Sequence, residues 1–202
     1  MTSIPCDIVI LPCLELSNRA IALSRQLQRF GALYVLEDGK CYPHASLYMT
    51  QLRSDSLERS IQLLAEIAAN SFAINLTATA YHQAEGYIDA EYKRDSDIEG
   101  LQRKVISIIN PIRDGIREKD KVRMFSTTGL ARENLEKYGY RGVGELFSPH
   151  LSLTRFKDGQ AIATDGLPPY AELSGQFTKL GLFEMGDNGT CVRKIAEFEF
   201  QS

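Results

Sequence analysis

No stretch of this 202-residue chain approaches the roughly 18 consecutive apolar residues that a membrane span requires. The first 13 residues also make a poor secretion signal. They lack a basic n-region, carry Asp7, and their apolar run is broken by Pro5 and Pro12. A cytoplasmic protein is the expectation. Cysteine is sparse and unpatterned: Cys6, Cys13, Cys41 and Cys191 form no C-x-x-C pair and have no histidine at zinc-finger spacing. That argues against a zinc module and predicts reduced, partly buried thiols. Basic excess is missing too. A formal net charge of −3 provides no global field for gripping long nucleic acid. A nucleotide or a short RNA end needs only a few local donors, and stays open. With 44% hydrophobic residues, the chain has material for one medium domain or two small lobes sharing a core.

Asp7–Leu11 reads as a buried strand, β-branched and stopped by Pro12. Ser17 or Asn18 can cap a helix bearing Ala20, Leu23, Leu27 and Phe30 at helical spacing, with Gly31 at its end. Leu33–Leu36 predicts a short strand, Asp38-Gly39 a turn, and Tyr42–Thr50 an alternating strand. A helix is expected over Ser54–Asn70, then strands over Phe72–Tyr81 and Gly86–Tyr92. A long helical pattern from Asp95 meets Pro111, which should break it, and a short helix follows Thr128 up to Gly139. Gly142–Gly144 suggests a flexible lead-in to a strand over His150–Phe156. Gly159–Pro169 reads as a loop. Gln176–Met185 and Thr190–Phe200 form a hairpin about Asp187-Asn188-Gly189.

Only three histidines occur, and two of them share a frame: Pro43-His44-Ala45-Ser46-Leu47 and Pro149-His150-Leu151-Ser152-Leu153. The strands expected after each copy keep similar offsets. Phe72 follows His44 by 28 residues and Phe177 follows His150 by 27; Tyr87 follows by 43 and Cys191 by 41. This suggests a duplication with a period of about a hundred residues, well outside the solenoid range. Alternation puts His44, Ser46, Tyr48 and Thr50 on one strand face, and Ser148, His150, Ser152 and Thr154 on the other copy's equivalent face. If the halves pack about a pseudo-twofold axis, two imidazoles and two hydroxyls meet across one groove. One histidine, neutral, can take a proton from an attacking hydroxyl; the other, charged, can protonate a leaving oxygen. Serine hydroxyls can donate to non-bridging phosphate oxygens. Phosphoryl chemistry rests largely on such positioning, so no cofactor is expected.

The paired H-x-S frames, each preceded by Pro and followed by Leu, resemble the H-x-[ST] motifs of the two-histidine phosphoesterase superfamily. That group includes bacterial 2′-5′ RNA ligases and 2′,3′-cyclic nucleotide phosphodiesterases. The resemblance implies an α+β, bilobal fold with antiparallel sheets facing a central cleft, formed by residues 1–202 as one unit, and a monomer is the expectation. It implies catalytic roles for His44 and His150, phosphate-binding roles for Ser46 and Ser152, and a nucleotide or short RNA end as substrate. The alternative is a module that keeps the cleft and binds RNA or a nucleotide without turning it over. Other readings are local. His82 is expected as a surface histidine at a strand end, and Cys41 falls opposite His44 by parity, which argues against a metal held by Cys41 with the histidines. Tyr42 and Tyr48 can stack on a base or wall the cleft. Arg155 alternates away from the cleft, and the charged run Arg113–Arg123 reads as a solvated helix end and loop.

Overall fold

A computed structural model describes residues 2–157 and 160–201. Gly159, the expected start of the loop before the last hairpin, lies outside them. In chain order the elements are β1 (Ser3–Pro12), α1 (Leu14–Leu27), β2 (Ala45–Arg53), α2 (Leu57–Ala69), β3 (Ile74–Leu76), β4 (Ala78–Ala84), β5 (Tyr87–Tyr92), α3 (Ser96–Ile109), α4 (Glu118–Met124), α5 (Gly129–Tyr138), β6 (His150–Arg155), β7 (Gly175–Met185) and β8 (Cys191–Glu199). They build two antiparallel sheets. One has five strands in the order β2-β1-β7-β3, with β8 also on β7; the other has the order β4-β5-β6. The α+β class and the antiparallel sheets therefore stand.

The pairing crosses the two halves of the sequence. Strands β4 and β5, which follow the first H-x-S strand, form a sheet with the second one, β6, through β5. Strand β7, which follows the second, pairs with β1 beside β2. Helices cross in the same way: α1 packs on β6 and α3 on β2. The two motif strands also carry the same irregularity. Between β1 and β2 the register slips at Ile8/Val9, and between β5 and β6 at Ile88/Asp89. Each slip leaves one residue without an opposite number, Leu47 in β2 and Leu153 in β6. A buried side chain from the crossing helix takes the carbonyl of each: Gln102 Nε2 donates to Leu47 O at 3.0 Å, and Ser24 Oγ to Leu153 O at 2.6 Å. The buried polar side chains of α1 and α3, Ser24 and Gln102, are thus accounted for by the two bulges.

Several elements differ from the sequence reading. No strand forms over Leu33–Leu36, because its backbone bonds go elsewhere. Leu33 N donates to Arg155 O at 2.7 Å, and Leu36 N to Ser24 Oγ at 2.9 Å. Helix α1 starts earlier than expected, at Leu14 after Pro12, although Gly31, at φ +81°, does end the helical run. The strand expected over Phe72–Tyr81 divides near Thr77, β3 joining one sheet and β4 the other. Asp95 caps α3 by accepting from Asp97 N and Ile98 N, and Pro111 falls in the short 3₁₀ turn that ends it. The β4–β5 connection is only Glu85-Gly86, both at positive φ (52° and 83°), a tight primed turn. All four cysteines are free thiols, and Cys13 alone is not fully buried.

Candidate functional site

His44 sits immediately before β2, and His150 is the first residue of β6. Their rings are anchored alike. His44 Nδ1 lies 2.7 Å from Tyr42 O, and His150 Nδ1 lies 2.8 Å from Ser148 O, in each case the carbonyl two residues upstream. A carbonyl only accepts, so Nδ1 carries the proton and Nε2 is the nitrogen left to exchange one. Both histidines line a single cleft of about 1090 Å³, together with Ser46, Ser152, Tyr87 and Tyr140. The structure therefore gathers all four residues singled out by the sequence.

Behind each serine stands a buried group. Ser46 Oγ lies 2.6 Å from Asp7 Oδ2 on β1, and Asp7 is fully buried with Oδ1 lacking any partner. Burial raises the Asp7 carboxyl above the ordinary carboxylate range, against the opposing pull of His44, the Ser46 hydrogen bond and Arg117. His44 Nε2 lies 3.8 Å from Asp7 Oδ2. Ser152 is near enough to the Tyr34 hydroxyl to influence it, and burial, with Asp89 next, raises that hydroxyl well above its usual value. Asp89 stands opposite Ser152 in the ladder and likewise has an unpartnered Oδ1. Among the described residues, Asp7, His44 and Cys191 bring ligand atoms within 4.8 Å of one another, a set of hard and soft donors that suits a metal such as zinc. Cys41, the thiol weighed from the sequence, is buried but outside that set.

The bulges revise the rest of the cleft. Strict alternation placed Tyr48, Thr50 and Thr154 beside the histidines, but the extra residues Leu47 and Leu153 reset the parity. Tyr48 is fully buried, donating to Tyr138 O at 2.6 Å, and Thr154 is buried, donating to Tyr34 O at 2.5 Å. Met49 and Gln51 line the cleft in place of Tyr48 and Thr50. Tyr42 packs on Phe183, ring centroids 4.9 Å apart, and is no cleft wall. Arg155 turns to the cleft side of its sheet, stacking over Tyr87 and donating to Asn188 Oδ1 at 2.9 Å. Tyr87 hydroxyl donates to Asn188 O at 3.1 Å, so the β7–β8 turn ties the two sheets together at one end of the cleft. His82 is exposed as expected, but lies within β4 on the cleft rim, opposite Asp89.

Two further expectations change. Gly142–Gly144 is pinned: Asn134 Nδ2 donates to Arg141 O and Val143 O, and Gln102 Nε2 to Gly142 O. Within Arg113–Arg123, helix α4 forms, and Arg117, Lys119, Asp120 and Arg123 line the cleft. Arg117 holds buried Asp120 with Nε at 2.6 Å and Nη2 at 2.5 Å, while Arg123 Nη1 reaches the same carboxylate at 3.3 Å. Periodicity could not reveal this helix, because its buried residue is an aspartate.

No family model matches the chain, and no curated protein matches it. Solved structures do. The crystal structure of Escherichia coli LigT complexed with phosphate superposes over 100% of both chains, at a TM-score of 0.58 and 13% identity. LigT is also described in complexes with ATP, 3′-AMP and NADP+. A Thermus thermophilus protein, TT0787, matches over 97% of both chains at a TM-score of 0.59 and 14% identity. The MHV ns2 PDE domain matches over 90% of this chain and 99% of its own, at 0.50 and 14%. The chain has the fold of these proteins.

Proposed function

We propose that this protein is a metal-independent phosphoesterase of the two-histidine superfamily. Its substrate is a nucleotide or short RNA end, and the bond it works on is a 2′,3′-cyclic phosphate or a 2′-5′ phosphodiester. One observation carries the reading: the matched anchoring of His44 and His150 on one cleft, each with Nδ1 on a backbone carbonyl and Nε2 left for proton exchange. A phosphodiester between them meets a base on one side and an acid on the other. The neutral imidazole takes the proton of the attacking water or hydroxyl, and the charged one gives a proton to the oxygen that leaves. The fold of LigT, described in complexes with phosphate and with nucleotides, supports the same substrate class.

The buried groups behind the serines complete the scheme. A serine whose proton is spent on a carboxylate has none to offer a phosphate. Burial favours a proton on Asp7 and on Tyr34. Each can then donate to its serine, which turns the proton of Ser46 or Ser152 toward the non-bridging oxygens, where charge builds during transfer.

The test is a panel of nucleoside 2′,3′-cyclic phosphates and 2′-5′-linked oligonucleotides with the native protein, His44→Ala and His150→Ala. Each variant should lose about 10²- to 10⁴-fold in kcat with an unchanged circular dichroism spectrum. Full activity in either one refutes the reading. Binding without product by the native protein would identify a nucleotide-binding module that does no chemistry.

A further inference from the structure

The proposed chemistry leaves one buried group beside the site unused. Cys191 opens β8, and its thiol is fully buried in a cluster with Val9, Leu11 and Phe183. Its Sγ nonetheless comes within 4.8 Å of ligand atoms on Asp7 and His44. His44 Nε2 and Asp7 Oδ2 are 3.8 Å apart, near the roughly 3.4–3.8 Å that separates two ligands on one tetrahedral zinc. Asp7 Oδ1 is buried without a hydrogen-bond partner. Around the three stand the outer partners that a metal site uses to orient its ligands. Tyr42 O takes Nδ1 of His44 and leaves Nε2 as the ligand, and Ser46 Oγ holds Asp7 Oδ2 at 2.6 Å. Tyr42 N donates to Cys191 O at 3.2 Å, which ties the histidine's anchor to the strand of the thiol. Of the three residues His44 lines the cleft, so an ion can enter from there and keep its fourth position open toward it.

We infer that Asp7, His44 and Cys191 form an inhibitory zinc site, in which the ion takes Nε2 of His44 and so removes the nitrogen that exchanges the proton. The donors favour zinc: imidazole, thiolate and carboxylate are its usual ligands, whereas magnesium and calcium take oxygen alone. Zn–S, Zn–N and Zn–O bonds form, while the thiol proton, and that of the carboxyl where it holds one, pass to solvent. A dication with a thiolate and a carboxylate has zero net charge, which suits a buried pocket. His150 keeps its place, but a phosphodiester then meets one working imidazole instead of two. The inhibition rests on the phosphoesterase reading; the site itself does not.

The experiment uses the native protein, Cys191→Ala, Cys191→Ser and Cys13→Ser/Cys41→Ser, each stripped with EDTA and then freed of it. Competition with a chromogenic indicator measures zinc affinity. Cobalt(II) probes the ligands, since a thiolate bound to it gives a near-ultraviolet charge-transfer band. The native protein should bind one zinc, show the band, and lose hydrolysis of a nucleoside 2′,3′-cyclic phosphate in step with occupancy; excess EDTA should restore it. Both Cys191 variants should keep the metal-free rate, lose the band and bind zinc about 100-fold or more weakly, since losing even an outer partner of a ligand costs roughly 10- to 100-fold. Cys13→Ser/Cys41→Ser should behave as the native protein does. If the Cys191 variants do not fold, that double variant carries the test through its band and its inhibition. No band in the native protein, or equal zinc affinity with and without the Cys191 thiol, overturns the site. Zinc bound with turnover unchanged overturns the inhibition, and activity that needs zinc overturns it together with the metal-independent reading. If the native protein binds zinc through Cys191 yet turns nothing over with or without metal, the site stands and the phosphoesterase reading falls.

Discussion

Replacing Asp7 by Asn tests the electrostatics beneath the site. The carboxyl is fully buried, its Oδ2 meets Ser46 at 2.6 Å, and its Oδ1 has no partner. In the unfolded chain it ionises near the usual aspartate value of about 3.9. In the folded protein burial raises that pKa, and the attraction of His44 does not reverse the direction. The sign follows. The folded state keeps a proton that the unfolded chain has released, so the stability contributed by the neutral carboxyl is complete below about pH 4 and lost as pH rises through the folded pKa. Asparagine is the same size, can donate to Ser46, and never ionises. It removes the linkage cost of holding that proton, about 1.4 kcal/mol for each pH unit between the unfolded and folded pKa values and so on the order of 1–3 kcal/mol at neutral pH. At ~2–4 °C per kcal/mol for a chain of this length, Asp7→Asn should melt about 2–12 °C above the native protein at neutral pH, and close to it near pH 4. Thermal unfolding followed by circular dichroism from pH 4 to 8 measures the gap. A gap that stays constant with pH, or that narrows as pH rises, refutes the account of Asp7.

Other outcomes follow from the same geometry. Ser46→Ala and Ser152→Ala should each lower kcat by about 10²-fold or more, with less effect on KM, as loss of one transition-state donor does. Activity should survive EDTA and follow a bell-shaped pH profile set by the two histidines; loss with EDTA, restored by zinc, would instead place a metal at Asp7, His44 and Cys191. Gly86→Ala should destabilise the fold by more than about 2 kcal/mol in a denaturant titration. The added Cβ would come 2.6 Å from Phe156 O, in a turn already at φ +83°.

The motif residues were legible because their signal is local: a scarce residue type, repeated in a frame of Pro, Ser and Leu. The main helices and the final hairpin were legible from periodicity. The face assignments beyond the serines were not, since a bulge changes parity without changing composition. Its trace in the first copy is Leu47-Tyr48, two large residues in succession where alternation calls for one; in the second copy, Leu153-Thr154 gives no such trace. Leu33–Leu36 has strand composition but finds its hydrogen bonds on β6 and α1. Asp7 read only as the first residue of an apolar strand, and the pairing of β1 with β2 is what brings it beside Ser46. Helix α4 has no apolar stripe, because an ion pair fills its buried side.

The crossed strand order also has a consequence for biosynthesis. Strand β1 is made well before one of its two neighbours, β7, where Asp7 stands opposite Phe183. At translation speeds of about 5–20 residues per second, roughly ten to thirty-five seconds separate the two. Throughout that interval the nascent chain presents the apolar run Ile8–Leu11 with one edge unpaired, a surface that invites wrong pairing. The strand carrying Asp7 is locked between both neighbours only when β7 arrives, so the cleft stays incomplete until that strand has been made.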